Sequence, residues 1–87
     1  MRHCILGVPG TALDSVRRVW SHPEALSQAE GFLTHHGLTP IPTHDTAGAV
    51  RQVAEHGDPT EAALAPERAA EPHRLVALRT GVIDRAH

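Results

Sequence analysis

Apolar stretches suited to short strands alternate along this chain with two stretches of helical periodicity, an order that few architectures accommodate. Residues 2–8 read as a first strand, with Cys4, Ile5, Leu6 and Val8 as its apolar content and Pro9-Gly10 as its break. Residues 14–18 are polar and ambiguous, and Val16, Val19 and Trp20 have the composition of a second short strand leading into Ser21. Ser21-His22-Pro23-Glu24 then supplies a capping hydroxyl, a proline in the first turn and a glutamate three residues after the serine. Ala25, Leu26, Ala29, Phe32 and Leu33 follow at helical spacing, which predicts a helix over residues 23–36 closed by Gly37. Residues 38–42 form an extended run whose prolines, Pro40 and Pro42, favour an edge or a strand end. Thr43-His44-Asp45-Thr46 offers a second set of capping side chains, and Ala47, Ala49, Val50, Val53 and Ala54 make the stripe of a second helix ending at His56-Gly57. Residues 56–60 read as a loop and 61–65 as a brief apolar strand. Residues 66–71 read as a short proline-opened helix, and 75–83 as a last extended segment containing Gly81. The predicted fold is a small layered α/β domain with a largely parallel sheet.

The size of the chain agrees with that reading. Its 87 residues suffice for one domain, taken as residues 1–87. Large apolar side chains are few (Trp20, Phe32, Met1 and scattered Leu, Val and Ile), and much of the 40% hydrophobic content is alanine, which buries little area. A surface for self-association would supply the missing core, so a homo-oligomer is expected. The formal charge of -2 and the scattered arginines leave no electrostatic footprint for nucleic acid. No apolar run approaches the ~20 residues that cross a bilayer, and the opening residues do not resemble a signal peptide. One cysteine, Cys4, allows no internal disulfide and no cysteine-rich zinc module, so the expected setting is reducing and cytoplasmic.

Eight histidines raise the question of a metal. His35 and His36 are adjacent, so on a helix they point about 100° apart, and His3 and Cys4 alternate across a strand. No histidine pair has the i, i+4 spacing of a helical zinc site, so exposed or capping histidines are expected and no metal site. Cys4, in an apolar strand without a sequence-level partner, reads as a buried structural thiol. Gly7-Val8-Pro9-Gly10 lacks the lysine of a phosphate loop and reads as a turn. The two helix starts are more informative. Free backbone N–H groups and the positive end of the helix dipole suit a carboxylate. In a parallel α/β sheet such starts lie together at the carboxyl ends of the strands. The alternative is that Ser21, Asp45 and Thr46 merely cap their helices.

The same residues resemble a known family. His3-Cys4-Ile5-Leu6-Gly7 and the segment Val19-Trp20-Ser21-His22-Pro23-Glu24-Ala25-Leu26-Ser27-Gln28 are similar to the prephenate dehydratase family, whose pattern is Ser-His-Pro-Gln-Ala-Leu-x-Gln. The resemblance continues through Asp45-Thr46-Ala47 with its alanine-rich helix, residues 61–71, and Gly81-Val82-Ile83-Asp84. It implies one lobe of a two-lobed fold like that of periplasmic binding proteins. It also implies removal of water and carbon dioxide from prephenate to give phenylpyruvate, in phenylalanine biosynthesis, without a metal or organic cofactor.

On this lobe the resemblance implies that Ser21, His22, Gln28 and Thr46 face the cleft, holding a dicarboxylate and orienting its leaving hydroxyl. His22 and Thr46 are then the catalytic candidates, with Ser21, Gln28 and Asp45 binding substrate and His22 or Asp45 offering acid-base help. The sequence departs from the family at Glu24, Ala29 and His73-Arg74. The family also continues past Asp84 into an Asn-x-Thr-Arg-Phe segment whose threonine is the favoured catalytic residue. The present sequence ends at His87, ahead of that segment, and does not include the first lobe. The expectation is a prephenate dehydratase-like lyase completed by a second copy or by a partner chain bearing the missing lobe. The alternative is a non-catalytic module that binds a small carboxylate or another protein.

Overall fold

The computed structural model describes residues 2–83. Asp84, the last position of the family resemblance, and Met1, counted among the large apolar residues, lie outside the described residues. The strands are β1 (His3–Gly7), β2 (Arg18–Ser21), β3 (Thr39–Pro42), β4 (Glu61–Pro66) and β5 (Val76–Thr80). The helices are α1 (Pro23–Gln28), α2 (Glu30–His35) and α3 (Thr46–His56). One five-stranded sheet runs in the order β3-β2-β4-β1-β5.

Period-two alternation divides the core between the two faces of this sheet. Ile5, Val19, Ala62 and Leu64 join Ala25, Leu26, Ala29 and Leu33 on the α1–α2 face. Cys4, Leu6, Ala63 and Ala65 join Ala49, Val50 and Val53 on the α3 face, with Trp20 packed alongside. β4 is buried on both faces, which explains its run of small and apolar residues. The prolines of β3 fall on an edge strand, as their sequence position predicts.

Three expectations are modified. β2 pairs in parallel with β3 and β4, but β1 pairs antiparallel with both β4 and β5. Four strands therefore point one way and β1, inserted between β4 and β5, runs against them. The sheet is mixed in pairing, because β1 is joined to β2 through a single 3-10 turn, Leu13–Ser15, and not through the crossover helix a parallel neighbour needs. The single helix expected over residues 23–36 is two helices meeting at Ala29, whose backbone (φ -103, ψ 14) leaves helical geometry. Ala29 is wholly buried there, in the same cluster as Leu26 and Leu33. The short helix expected over residues 66–71 is a pair of 3-10 turns, Glu67–Ala69 and Glu71–His73. Pro72 has no N–H to bond the carbonyl of Arg68, so a continuous α-helix cannot form through it.

Candidate functional site

β2 and β3 run side by side and end together, with Ser21 opposite Pro42. From these ends the chain turns onto opposite faces of the sheet: β2 leads into α1 on one face and β3 into α3 on the other. β4, on the other side of β2, continues into the 3-10 turns, whose Ala69 and Ala70 pack on the α3 face. Connections leaving β2 and β4 toward opposite faces open a crevice at the carboxyl edge, the place where open α/β sheets bind ligands.

The first helix start differs from its expected form. Ser21 does not cap α1. It is the last residue of β2, wholly buried, and its Oγ donates to the Leu64 carbonyl of β4 (2.7 Å). His22 is the N-cap, and its Nδ1 accepts from the Glu24 N–H (3.1 Å). With Nδ1 engaged at the cap, Nε2 is the nitrogen this exposed ring has left to meet a ligand. Glu24 occupies the second helical position, so no capping box forms. The reason is register: one more residue in β2 moves the hydroxyl into the sheet and the imidazole into the capping place.

The second start matches its sequence pattern. Asp45 is the N-cap of α3 and its Oδ1 accepts from the Gly48 N–H (2.5 Å). A Cβ built on Gly48 would stand 2.8 Å from that oxygen, so glycine is what allows the carboxylate so close. Thr43 Oγ1 donates to the Asp45 carbonyl (2.8 Å), and the Thr43 N–H donates to the Ser21 carbonyl (2.8 Å). Among the described residues the N–H groups of Thr46 and Ala47 have no hydrogen-bond partner. They point from the positive end of an eleven-residue helix. The half-buried Thr46 hydroxyl stands beside them.

The structure thus gathers Ser21, His22, Asp45 and Thr46 at one sheet edge. Gln28 is exposed at the far end of α1, six helical residues and roughly 9 Å of helix rise beyond His22. Gly48 and the Leu64 carbonyl join the site without having been singled out from sequence, and Thr43, read there only as a capping side chain, joins them. The Asp45-x-x-Gly48 spacing carried a signal for the glycine, but a backbone carbonyl carries none.

At the opposite edge lies a polar cluster that sequence reading reduced to a loop. Glu61 is buried, with Oε1 2.8 Å from His56 Nδ1 and Oε2 3.5 Å from Arg18 Nη2. Asp58 Oδ1 accepts from both the N–H and the hydroxyl of Thr60, at 2.9 and 2.8 Å. These two bonds, then the nearby Arg18 and His56 charges, hold its carboxyl below the ordinary aspartate value of 3.8. Cys4 is buried in β1, and burial first, then the Glu67 carboxylate, pushes its thiol upward in pKa. That environment suits an inert structural cysteine.

A family model described as prephenate dehydratase matches residues 1–87. The chain belongs to the prephenate dehydratase family. It is 42% identical, over its whole length and 31% of the relative, to a bifunctional N-acyl-homoserine lactone acylase/prephenate dehydratase of Komagataeibacter europaeus. It is 44% identical over 86% of its length, and 20% of the relative, to arogenate dehydratase/prephenate dehydratase 2 of Arabidopsis thaliana, a chloroplastic protein. The chain therefore spans less than a third of these relatives. Among solved structures, GqqA, a novel type of quorum quenching acylase, superposes with a TM-score of 0.93 at 43% identity. That match covers 97% of this chain and 31% of the other. Prephenate dehydratase of Arthrobacter aurescens, in complex with L-Phe, superposes at 0.85 over 98% of this chain and 29% of the other. At 24% identity this last likeness speaks for the fold alone. No helix among the described residues is long and apolar enough to cross a membrane.

Proposed function

We propose that this chain forms one wall of a prephenate dehydratase site, at the carboxyl edge between α1 and α3. The observation that carries the reading is the placement of the unpartnered Thr46 and Ala47 N–H groups and the exposed His22 ring at the ends of two strands bonded to each other. The helix start receives a substrate carboxylate through backbone donors and dipole. His22, with Thr46 beside it, serves the leaving hydroxyl. The C4 hydroxyl takes a proton from solvent and departs as water. The ring carboxylate leaves as carbon dioxide, and its bonding electrons aromatise the ring to phenylpyruvate. Asp45 sets the α3 start and offers a proton acceptor, and Gln28 extends the wall along α1. No metal or organic cofactor is invoked in this scheme.

A lobe with one wall needs another. The reading includes either a second copy in a homodimer or a chain bearing the missing lobe, in a cytoplasmic setting. Support comes from coverage, since relatives with dehydratase names are three to five times longer than the matched region. Turnover of prephenate followed by phenylpyruvate absorbance, with calorimetric titration of prephenate, phenylpyruvate and phenylalanine, tests it. His22→Ala and Thr46→Ala should each lower turnover by 10²-fold or more, the usual yield of acid-base and positioning groups. Unchanged turnover in both variants moves the site elsewhere. Binding without turnover favours a carboxylate-binding module.

A second reading rests on one observation: the relatives matched at 42% and 43% identity carry acylase in their names. Hydrolysis of an N-acyl-homoserine lactone, assayed on the same preparation, tests it directly.

A further inference from the structure

The ladder between β2 and β4 ends one residue before β2 does. Its last paired position is Trp20 opposite Ala63, whereas β2 continues beside β3 to Ser21 opposite Pro42. At Ser21 the side chain takes over where the main chain stops. Its buried Oγ reaches the Leu64 carbonyl of β4 at 2.7 Å, and its own carbonyl accepts the Thr43 N–H at 2.8 Å. One residue therefore ties the end of β2 to the Leu64 carbonyl within β4 and to the residue that follows β3, near the point where the connections of β2 and β4 part to opposite faces. The residues it holds are the lead-ins to both helix starts: His22 follows it directly, and Thr43 orders the Asp45 carbonyl through its hydroxyl. A hydroxyl that is wholly buried and already donating cannot also donate to a ligand in the crevice.

We propose that Ser21 is a positioning residue that fixes the spacing between the His22 cap of α1 and the Thr46–Ala47 amides of α3, and does so without touching substrate. The role rests on the reading of this edge as the substrate wall. Its structural part, however, is measurable without any ligand. In Ser21→Ala the Leu64 carbonyl loses its donor and the β2 end is released from β4. The α3 start, more than twenty residues away in sequence, then moves through the Ser21–Thr43 bond.

Amide resonances of the ligand-free chain report this. In Ser21→Ala the Thr46 and Ala47 amides should shift further than in the control Ser27→Ala, which removes an exposed hydroxyl from α1. The Thr43 amide should exchange faster with solvent, and Ser21→Thr, which keeps the hydroxyl, should restore both. Should Ser21→Ala fail to fold, Ser21→Cys carries the comparison, because its weaker and longer donor predicts a smaller displacement of the same amides. Thr46 and Ala47 amides that match the Ser27→Ala control overturn the proposal. Prephenate titration then separates the layers. Weaker binding in Ser21→Ala with unmoved amides means that Ser21 contacts substrate. Absence of prephenate binding by the parent chain counts against the substrate reading, while the amide result still decides the positioning role.

Discussion

Asp45 carries two duties that a single substitution can separate. Its carboxylate caps α3 through Gly48, and it stands at the mouth of the proposed site. Asp45→Ala should cost about 0.5–2 kcal/mol of stability by loss of the cap, measured as a shift of the urea midpoint at constant slope. Asp45→Asn should recover most of that stability while leaving any acid-base contribution lost. Asp58 predicts a pH effect of definite sign. Its folded pKa lies below the ordinary value because the Thr60 N–H and hydroxyl bond the charged form. A depressed folded pKa contributes stability above the unfolded value, and that contribution is lost as pH falls through the folded one. The unfolding midpoint should therefore drop on acidification through and below the usual aspartate range, and Asp58→Asn should flatten that part of the profile. Both aspartates sit in short patterns that sequence can display, Asp45-x-x-Gly48 and Asp58-x-Thr60. Ser21 and His22 show where such reading stops. Ser21 would cap a helix beginning at His22 and His22 one beginning at Pro23, and the choice depends on how far β2 extends, which involves the Leu64 carbonyl more than forty residues away.

Among the secondary structures, the helices were legible to their ends wherever a local signal closed them. α3 begins at its aspartate cap and stops at Gly57, which takes the left-handed conformation (φ 61) that glycine adopts without strain. The break at Ala29 had no such signal, because an alanine at helical spacing fits one helix or the junction of two. The strand pairing was also hidden: apolar content places β1 in the sheet, but its antiparallel insertion between β4 and β5 follows from which edges remain open. The amino edge of the sheet gives a test of how elements are joined. Glu61 links the end of α3, through His56, to the beginning of β2, through Arg18. Its partners are partly exposed, so solvent screening keeps the effect modest. Glu61→Ala should destabilise by about 1–2 kcal/mol, chiefly through lost hydrogen bonds, whereas Glu61→Gln should cost less. Neither should alter prephenate binding at the opposite edge, and a loss of binding in Glu61→Gln would contradict the placement of the site.

Taken together, the core is thin on each face, with alanine at three of eleven buried positions on one and three of eight on the other. Little side-chain volume is left to enclose a ligand, and the proposed site is accordingly an open edge. The chain begins and ends its described path on neighbouring strands, with the Gly81 N–H donating to the His3 carbonyl at 3.0 Å. A lobe of this form presents donors in one direction and requires a second surface to exclude water, which is why a completed cleft, and not the chain in isolation, is expected to show full turnover. The most direct test is a titration of the isotopically labelled chain with prephenate into the millimolar range, read at every backbone amide. The account predicts saturable shifts centred on His22, Thr46 and Ala47, with the Asp58–Thr60 amides unmoved. Shifts centred on the amino edge, or none at the α3 start, would contradict it.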